Sequence, residues 1–201
     1  MVELPVEHLI LVDLLAPLCS AWRDAFAPYA EVSVVQGRFE DLPEYDCIVA
    51  SANSYGIMDG GVDAAISERF PAVERRIQAR IGQEFHGYQP VGTSIIVPTA
   101  DQAHPWVAHT PTMRVPMPLS GNLVINVHTA MWAMLCAVRR HNREQRQPIR
   151  TLACTGLGTL HGRVPPDRAA RLMALAYGEH KGDPEPQGWP AARRREVELG
   201  R

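Results

Sequence analysis

Two stretches of this chain place glycines and polar side chains where chemistry can happen. In residues 46–66, an apolar run (47–49) passes through small residues to Asn53. Gly56, Gly60 and Gly61 follow, and Val62 and Asp63 then open a helix-like segment. Strand, glycine loop and helix start in that order let backbone N–H groups wrap a phosphate. A polar side chain at the strand's carboxyl end, here Asn53, then meets the sugar beyond it. About a hundred residues later the pattern returns. Residues 151–154 read as a strand, Thr155, Gly156, Leu157, Gly158, Thr159, Leu160, His161 and Gly162 as a loop, and 164–167 as a helix entry rich in proline. Proline suits a first helical turn, where its missing N–H is not needed. Two such loops fit a ligand with two linked phosphates. His161 is the one histidine placed to donate to a phosphate or act as an acid.

These loops need strands and helices to hold them. Residues 8–14 form a short apolar run expected to be a buried strand, and 16–26 carry Leu18, Cys19, Trp22 and Phe26 at helical spacing. Residues 31–36 are strand-like and end at Gly37. Helices are predicted over 62–70 and from Pro71 to about 81, and strands over 92–98 and 106–110. Three prolines in 108–120 rule out a helix there and argue for an extended segment. Residues 121–142 are the longest helical pattern, with Met131, Trp132 and Met134 read as core packing. Strand 149–154 and helix 165–179 complete an α/β layered sheet with helices on both faces. From about 181 the chain turns rich in proline and arginine, and this tail is expected to be extended or disordered.

Composition narrows the functions. The chain has 201 residues, 46% hydrophobic and 21% charged, the make-up of a soluble globular domain. A net charge of −2 and the lack of a basic run in the body give no field for bulk nucleic-acid binding. A phosphorylated ligand must therefore be held by local backbone groups. Cys19, Cys47, Cys136 and Cys154 form no CxxC pair, so neither a metal site nor a disulfide framework is expected. The first residues lack a basic n-region, and no run approaches 18 consecutive apolar residues. No membrane association and a cytoplasmic location are expected.

At these residues the chain resembles the macrodomains, the ADP-ribose-binding α/β/α module. The family's first signature, a strand ending in Asn-Ala-Ala-Asn before a glycine loop and Gly-Val-Asp, stands here as Ala50-Ser51-Ala52-Asn53 and Asp59-Gly60-Gly61-Val62-Asp63. The second stands as Cys154-Thr155-Gly156-Leu157-Gly158. The likeness spans most of 8–180 and is nearest a divergent bacterial and phage-associated branch with Thr-Gly-Leu-Gly-Thr and Pro-Thr-Met-Arg segments. It implies a three-layer α/β/α fold with a central mixed sheet, a macrodomain over 1–180 followed by the 181–201 tail, and no cofactor.

The resemblance also assigns roles. Asn53 hydrogen-bonds the distal ribose, and its amide offers donor and acceptor together. Gly60, Gly61 and Val62 face the diphosphate, and residues 155–158 form the second phosphate loop, extended here through Thr159. Leu160 or His161 stands in for an aromatic that often covers the distal ribose. Asp63, with Asn53, places or activates water at the anomeric carbon. The implied function is binding of ADP-ribose or an ADP-ribosylated substrate. It is followed either by hydrolysis of the ADP-ribosyl linkage, by no turnover in a reader module, or by removal of a 1″-phosphate. Four departures stand out. Arg38 falls where many members carry an adenine-holding aspartate, leaving Glu40, Asp41, backbone groups or stacking on Phe39 to read the base. Ala50 replaces the first asparagine, Asp59 precedes a shortened glycine run, and the second loop is longer than usual.

Overall fold

The structure is a computed structural model that describes residues 6–182 and 188–200. Six strands, β1 (His8–Asp13), β2 (Val32–Gln36), β3 (Cys47–Asn53), β4 (Ile95–Pro98), β5 (Trp106–Met113) and β6 (Thr151–Cys154), form one sheet in the order β2-β1-β6-β3-β5-β4. All neighbours are parallel except the edge strand β4, which runs antiparallel to β5. Parallel strands buried on both faces read as continuous apolar runs, and their alternate residues serve opposite cores. Leu9, Leu11, Cys47, Val49, Leu152 and Cys154 join one core, with α1 (Ala16–Ala25), α4 (Asn126–Glu144) and α5 (Pro166–Lys181). Ile10, Val12, Ile48, Ala50 and Ala153 join the other, with α2 (Gly61–Arg69) and α3 (Val73–Phe85). This is the three-layer α/β/α arrangement with a mixed sheet.

Some elements differ from the sequence expectation for definite reasons. The strand expected over 106–110 continues through Pro111 to Met113. Because β4 pairs only with residues 106–109, Pro111 lies past the end of that edge strand. The helix expected from Pro71 starts at Val73, because Ala72 adopts a left-handed conformation (φ 73°). The helix expected from 121 begins as a 3-10 turn, Gly121–Ile125, and becomes regular at Asn126. Residues 121–144 are long and apolar enough, by length and composition, to cross a membrane. Here α4 is a core helix, with Val127, Met131, Met134 and Leu135 fully buried.

The 181–201 tail also needs correction. Lys181 belongs to α5, and Trp189–Gly200 forms a further helix, α6, with Pro190 in its first turn. Arg168 Nη2 donates to Leu199 O (2.9 Å), and Arg171 Nη1 to Glu198 O (3.0 Å), so α5 supplies donors to the last carbonyls of α6. The arginine triplet that suggested a solvated tail sits on a helix rich in alanine and other helix formers. Pro184 and Pro186 lie outside the described residues.

Candidate functional site

The carboxyl ends of β1, β2, β3, β5 and β6 point the same way, and a cavity of about 620 Å³ opens beyond them. That is the crevice in which parallel α/β sheets bind ligands, and the volume suits a small organic molecule. Both glycine loops reach it. Asn53, Gly60, Gly61, Val62, Asp63, Thr155, Gly156, Gly158, Thr159, Leu160 and His161 all line it. Leu157, expected among them, is instead fully buried in the core under the loop. Its apolar side chain anchors the loop between the two glycines.

The first loop supplies the stronger anion cradle. α2 starts at Gly61, and its N-cap, Gly60, provides no side-chain cap. Among the described residues, the N–H groups of Gly60, Gly61, Val62 and Asp63 donate to nothing, so four successive donors remain at the positive end of the helix dipole. Gly61 holds φ +57°, and a Cβ there would fall 2.8 Å from Leu160 Cδ2 of the second loop. Leu160 is exposed and its side chain can give way, so it is the left-handed φ that favours glycine here.

The second loop is partly committed to the protein itself. Gly156 N–H donates to Asp13 Oδ2 (3.2 Å) and Gly158 N–H to Ser51 Oγ (3.4 Å). Among the described residues the N–H groups of Leu157 and of Thr159 through Gly162 donate to nothing, so most of its free donors lie beyond the two committed glycines. The anion cradle is therefore the start of α2 with the far end of the second loop, rather than two equivalent glycine turns. Asp13 and Ser51 escaped the sequence reading. The available signal for Asp13 was an acid ending the first buried strand, the position Asn53 holds on β3. Asp13 Oδ1 also accepts from Leu15 N–H (2.9 Å), so one carboxylate joins the start of α1 to the second loop. Asp13→Ala should cost about 1–3 kcal/mol in urea unfolding, since Gly156 N–H is left without its acceptor.

Asn53 is also more occupied than its sequence role implied. Its Nδ2 donates to Ile57 O (2.7 Å), and its Oδ1 accepts from Tyr55 N–H (3.0 Å) and Ile57 N–H (3.4 Å). The amide closes its own loop, and one Nδ2 hydrogen remains for a ligand instead of a donor–acceptor pair. The register between β3 and β5 shifts at Ala52/Asn53, where β3 reaches the cavity. Behind it, His109 Nδ1 lies 2.7 Å from Gln89 Oε1, and Gln89 N–H donates to Ser54 O (2.9 Å). His109 lies fully buried within β5, where burial pushes its pKa down to about 3. It serves as a neutral brace.

Asp63 is the chemically unusual group. It is 7% exposed, and its Oδ1 has no hydrogen-bond partner. Burial, with Asp59 and Glu74 adding to it, lifts its carboxyl from an ordinary 3.8 to about 7. Glu74 is itself turned to the loop, accepting from Met58 N–H (3.1 Å). A carboxyl half-ionised near neutrality and lining a cavity is suited to general acid or base work. At the opposite end lie Gly37, Arg38, Phe39 and Glu40, while Asp41 of the same 3-10 turn (Phe39–Asp41) does not line the cavity. Among the described residues, no three His, Cys, Asp or Glu side chains group as metal ligands.

Comparison with known proteins agrees with this architecture. The macrodomain of Thermus aquaticus DarG is 17% identical with a TM-score of 0.58, covering 71% of this chain and 87% of that one. Thermosipho africanus DarTG, solved in complex with ADP-ribose, is 18% identical with a TM-score of 0.52, covering 67% of this chain and 35% of that one. At these identities the likeness is one of fold. In sequence, an uncharacterized protein of Aquifex aeolicus (strain VF5) is 30% identical over 144 residues, 71% of this chain and 78% of its own. The family model described as Macro domain matches residues 49–173, from β3 into α5 and across both glycine loops. On that match the chain belongs to the macrodomain family.

Proposed function

We propose that this macrodomain binds ADP-ribose or an ADP-ribosylated substrate and hydrolyses the ADP-ribosyl linkage at the distal ribose. The observation that carries the reading is one cavity holding both the four open N–H groups at the start of α2 and the buried carboxyl of Asp63. The open donors suit a diphosphate. The ADP-ribose bound in the related DarTG structure supports this choice of ligand. Ionised Asp63 takes a proton from water as the water oxygen bonds to the anomeric carbon. The bond from that carbon to the leaving group breaks, and the leaving group is protonated as it departs. Asn53, through its remaining N–H, holds a ribose hydroxyl beside this centre.

Calorimetric titration with ADP-ribose, ADP and AMP tests the binding, and release of ADP-ribose from an ADP-ribosylated substrate tests the chemistry. ADP-ribose should bind more tightly than ADP. Asp63→Ala should lower turnover by about 10²–10⁴-fold while keeping the affinity within about tenfold. Tight binding without turnover by the unaltered chain would make it a reader module. Absence of binding would end both readings.

A further inference from the structure

Arg38 stands where an adenine-reading acid was expected, and in the structure it is paired with Glu40. β2 ends at Gln36, and the chain continues through Gly37 into the short turn at Phe39–Asp41. Arg38 Nη2 donates to Glu40 Oε1 at 2.5 Å, and both residues line the cavity, with Phe39 and Val12 forming apolar wall beside them. β2 and β3 are separated by β1 and β6. Three inter-strand spacings put this pair about 14 Å from the anion cradle along the sheet. A nucleotide whose diphosphate lies at the start of α2 therefore brings its base to this end.

The pair differs in kind from a lone carboxylate. A carboxylate only accepts, so it favours an exocyclic amino group and repels a carbonyl. A guanidinium only donates, and does the reverse. Side by side, Arg38 and Glu40 present donors and an acceptor on one edge. An amino-purine is met by Glu40 accepting from the 6-amino group and Arg38 donating to a ring nitrogen. An oxo-purine is met by Arg38 donating to O6 and Glu40 accepting from N1–H. We propose that Arg38 and Glu40 form a base-reading pair that tolerates both 6-amino and 6-oxo purines. The cavity then takes inosine and guanosine diphosphate ribose as well as ADP-ribose, a step that rests on the ligand reading above. A 2′-phosphorylated ligand is not favoured, because Glu40 already neutralises Arg38 and would face the added anion.

The test is calorimetry of ADP-ribose, IDP-ribose and GDP-ribose against the full chain and its Arg38→Ala, Glu40→Ala and Asp41→Ala variants, with melting curves to verify folding. The unaltered chain should bind all three within about threefold, far less than the discrimination of a well-formed base contact. Arg38→Ala leaves a lone acceptor and should weaken the two oxo-purine ligands about tenfold more than ADP-ribose. Glu40→Ala leaves a lone donor and should reverse that preference. Asp41→Ala should change neither. A tenfold preference in the unaltered chain, or equal weakening of all ligands by both variants, would overturn the pair's role while leaving the ligand reading standing. Tighter binding of 2′-phospho-ADP-ribose would likewise overturn it, by making Arg38 a phosphate site. If none of the diphosphate riboses binds, the ligand reading fails and the base-reading pair with it.

Discussion

Replacing Asp63 by Asn is expected to raise stability at pH 9 by on the order of 4 kcal/mol, and at pH 5 by less than half of that. The folded chain holds a proton on Asp63 up to about pH 7, whereas an unfolded chain releases it near 3.8. Between those values the folded state binds more protons, so stability is complete below about 4 and declines as pH rises through 7. Above 7 the folded chain carries a buried carboxylate with Asp59 and Glu74 nearby. Asparagine keeps the shape and removes the charge. For a chain of this length the gain corresponds to roughly 8–16 °C in melting temperature at pH 9. Melting curves for both proteins from pH 5 to 9 decide it. Parallel curves would mean that Asp63 is solvated or paired, and would remove the basis for its role as a base.

The same titration bears on function. If Asp63 acts as the base, turnover should rise with pH through about 7 and then level. The pH range that activates the site is thus the range that destabilises the fold. A carboxyl kept at such a position at a stability cost is the pattern expected of a working group rather than a structural one.

The parts of the fold that were legible in sequence are those set by local pattern. The apolar runs of β1 and β3 and the spacing of Leu18, Cys19 and Trp22 in α1 report burial directly, because each residue's neighbours along the chain determine which face it joins. The first loop was legible for the same reason, since Asn53 through Asp63 is one contiguous segment. The misses are contacts that bridge distant segments. Asp13 meets Gly156 across 143 residues, and Ser51 meets Gly158 across 107, so nothing local showed that the second loop's glycine N–H groups were taken. Asn53 was found, but its commitment to Ile57 and Tyr55 depends on how the loop closes. In α6, helix propensity competed with a proline-rich approach and an arginine triplet. The docking to Arg168 and Arg171 that stabilises the helix is again long-range.

The second large effect is expected from one methyl group in the second loop. An ideal Cβ on Gly162 would lie inside van der Waals contact with the Gly158 carbonyl oxygen, 2.9 Å from Gly158 C and 3.1 Å from its Cα. All three atoms are backbone, so no side-chain rotation relieves the overlap. Gly158 O accepts from Val164 N–H (3.1 Å), and Gly162 O accepts from Leu119 N–H (2.8 Å). The loop is closed by these bonds, and moving either carbonyl breaks one. Overpacking and a lost hydrogen bond together put Gly162→Ala at about 2–4 kcal/mol of destabilisation in urea. ADP-ribose affinity should fall as well, because Thr159, Leu160 and His161 sit between the two displaced glycines. Gly82→Ala is the matched control. It lies on an exposed face of α3 with nothing within 4 Å of its Cβ, and it should stabilise the protein by about 0.5–1 kcal/mol without touching the cavity. Opposite signs for the same chemical change would show that the second loop is held by backbone packing. A neutral Gly162→Ala would show instead that the loop rearranges freely, and that its free N–H groups are not preorganised for an anion.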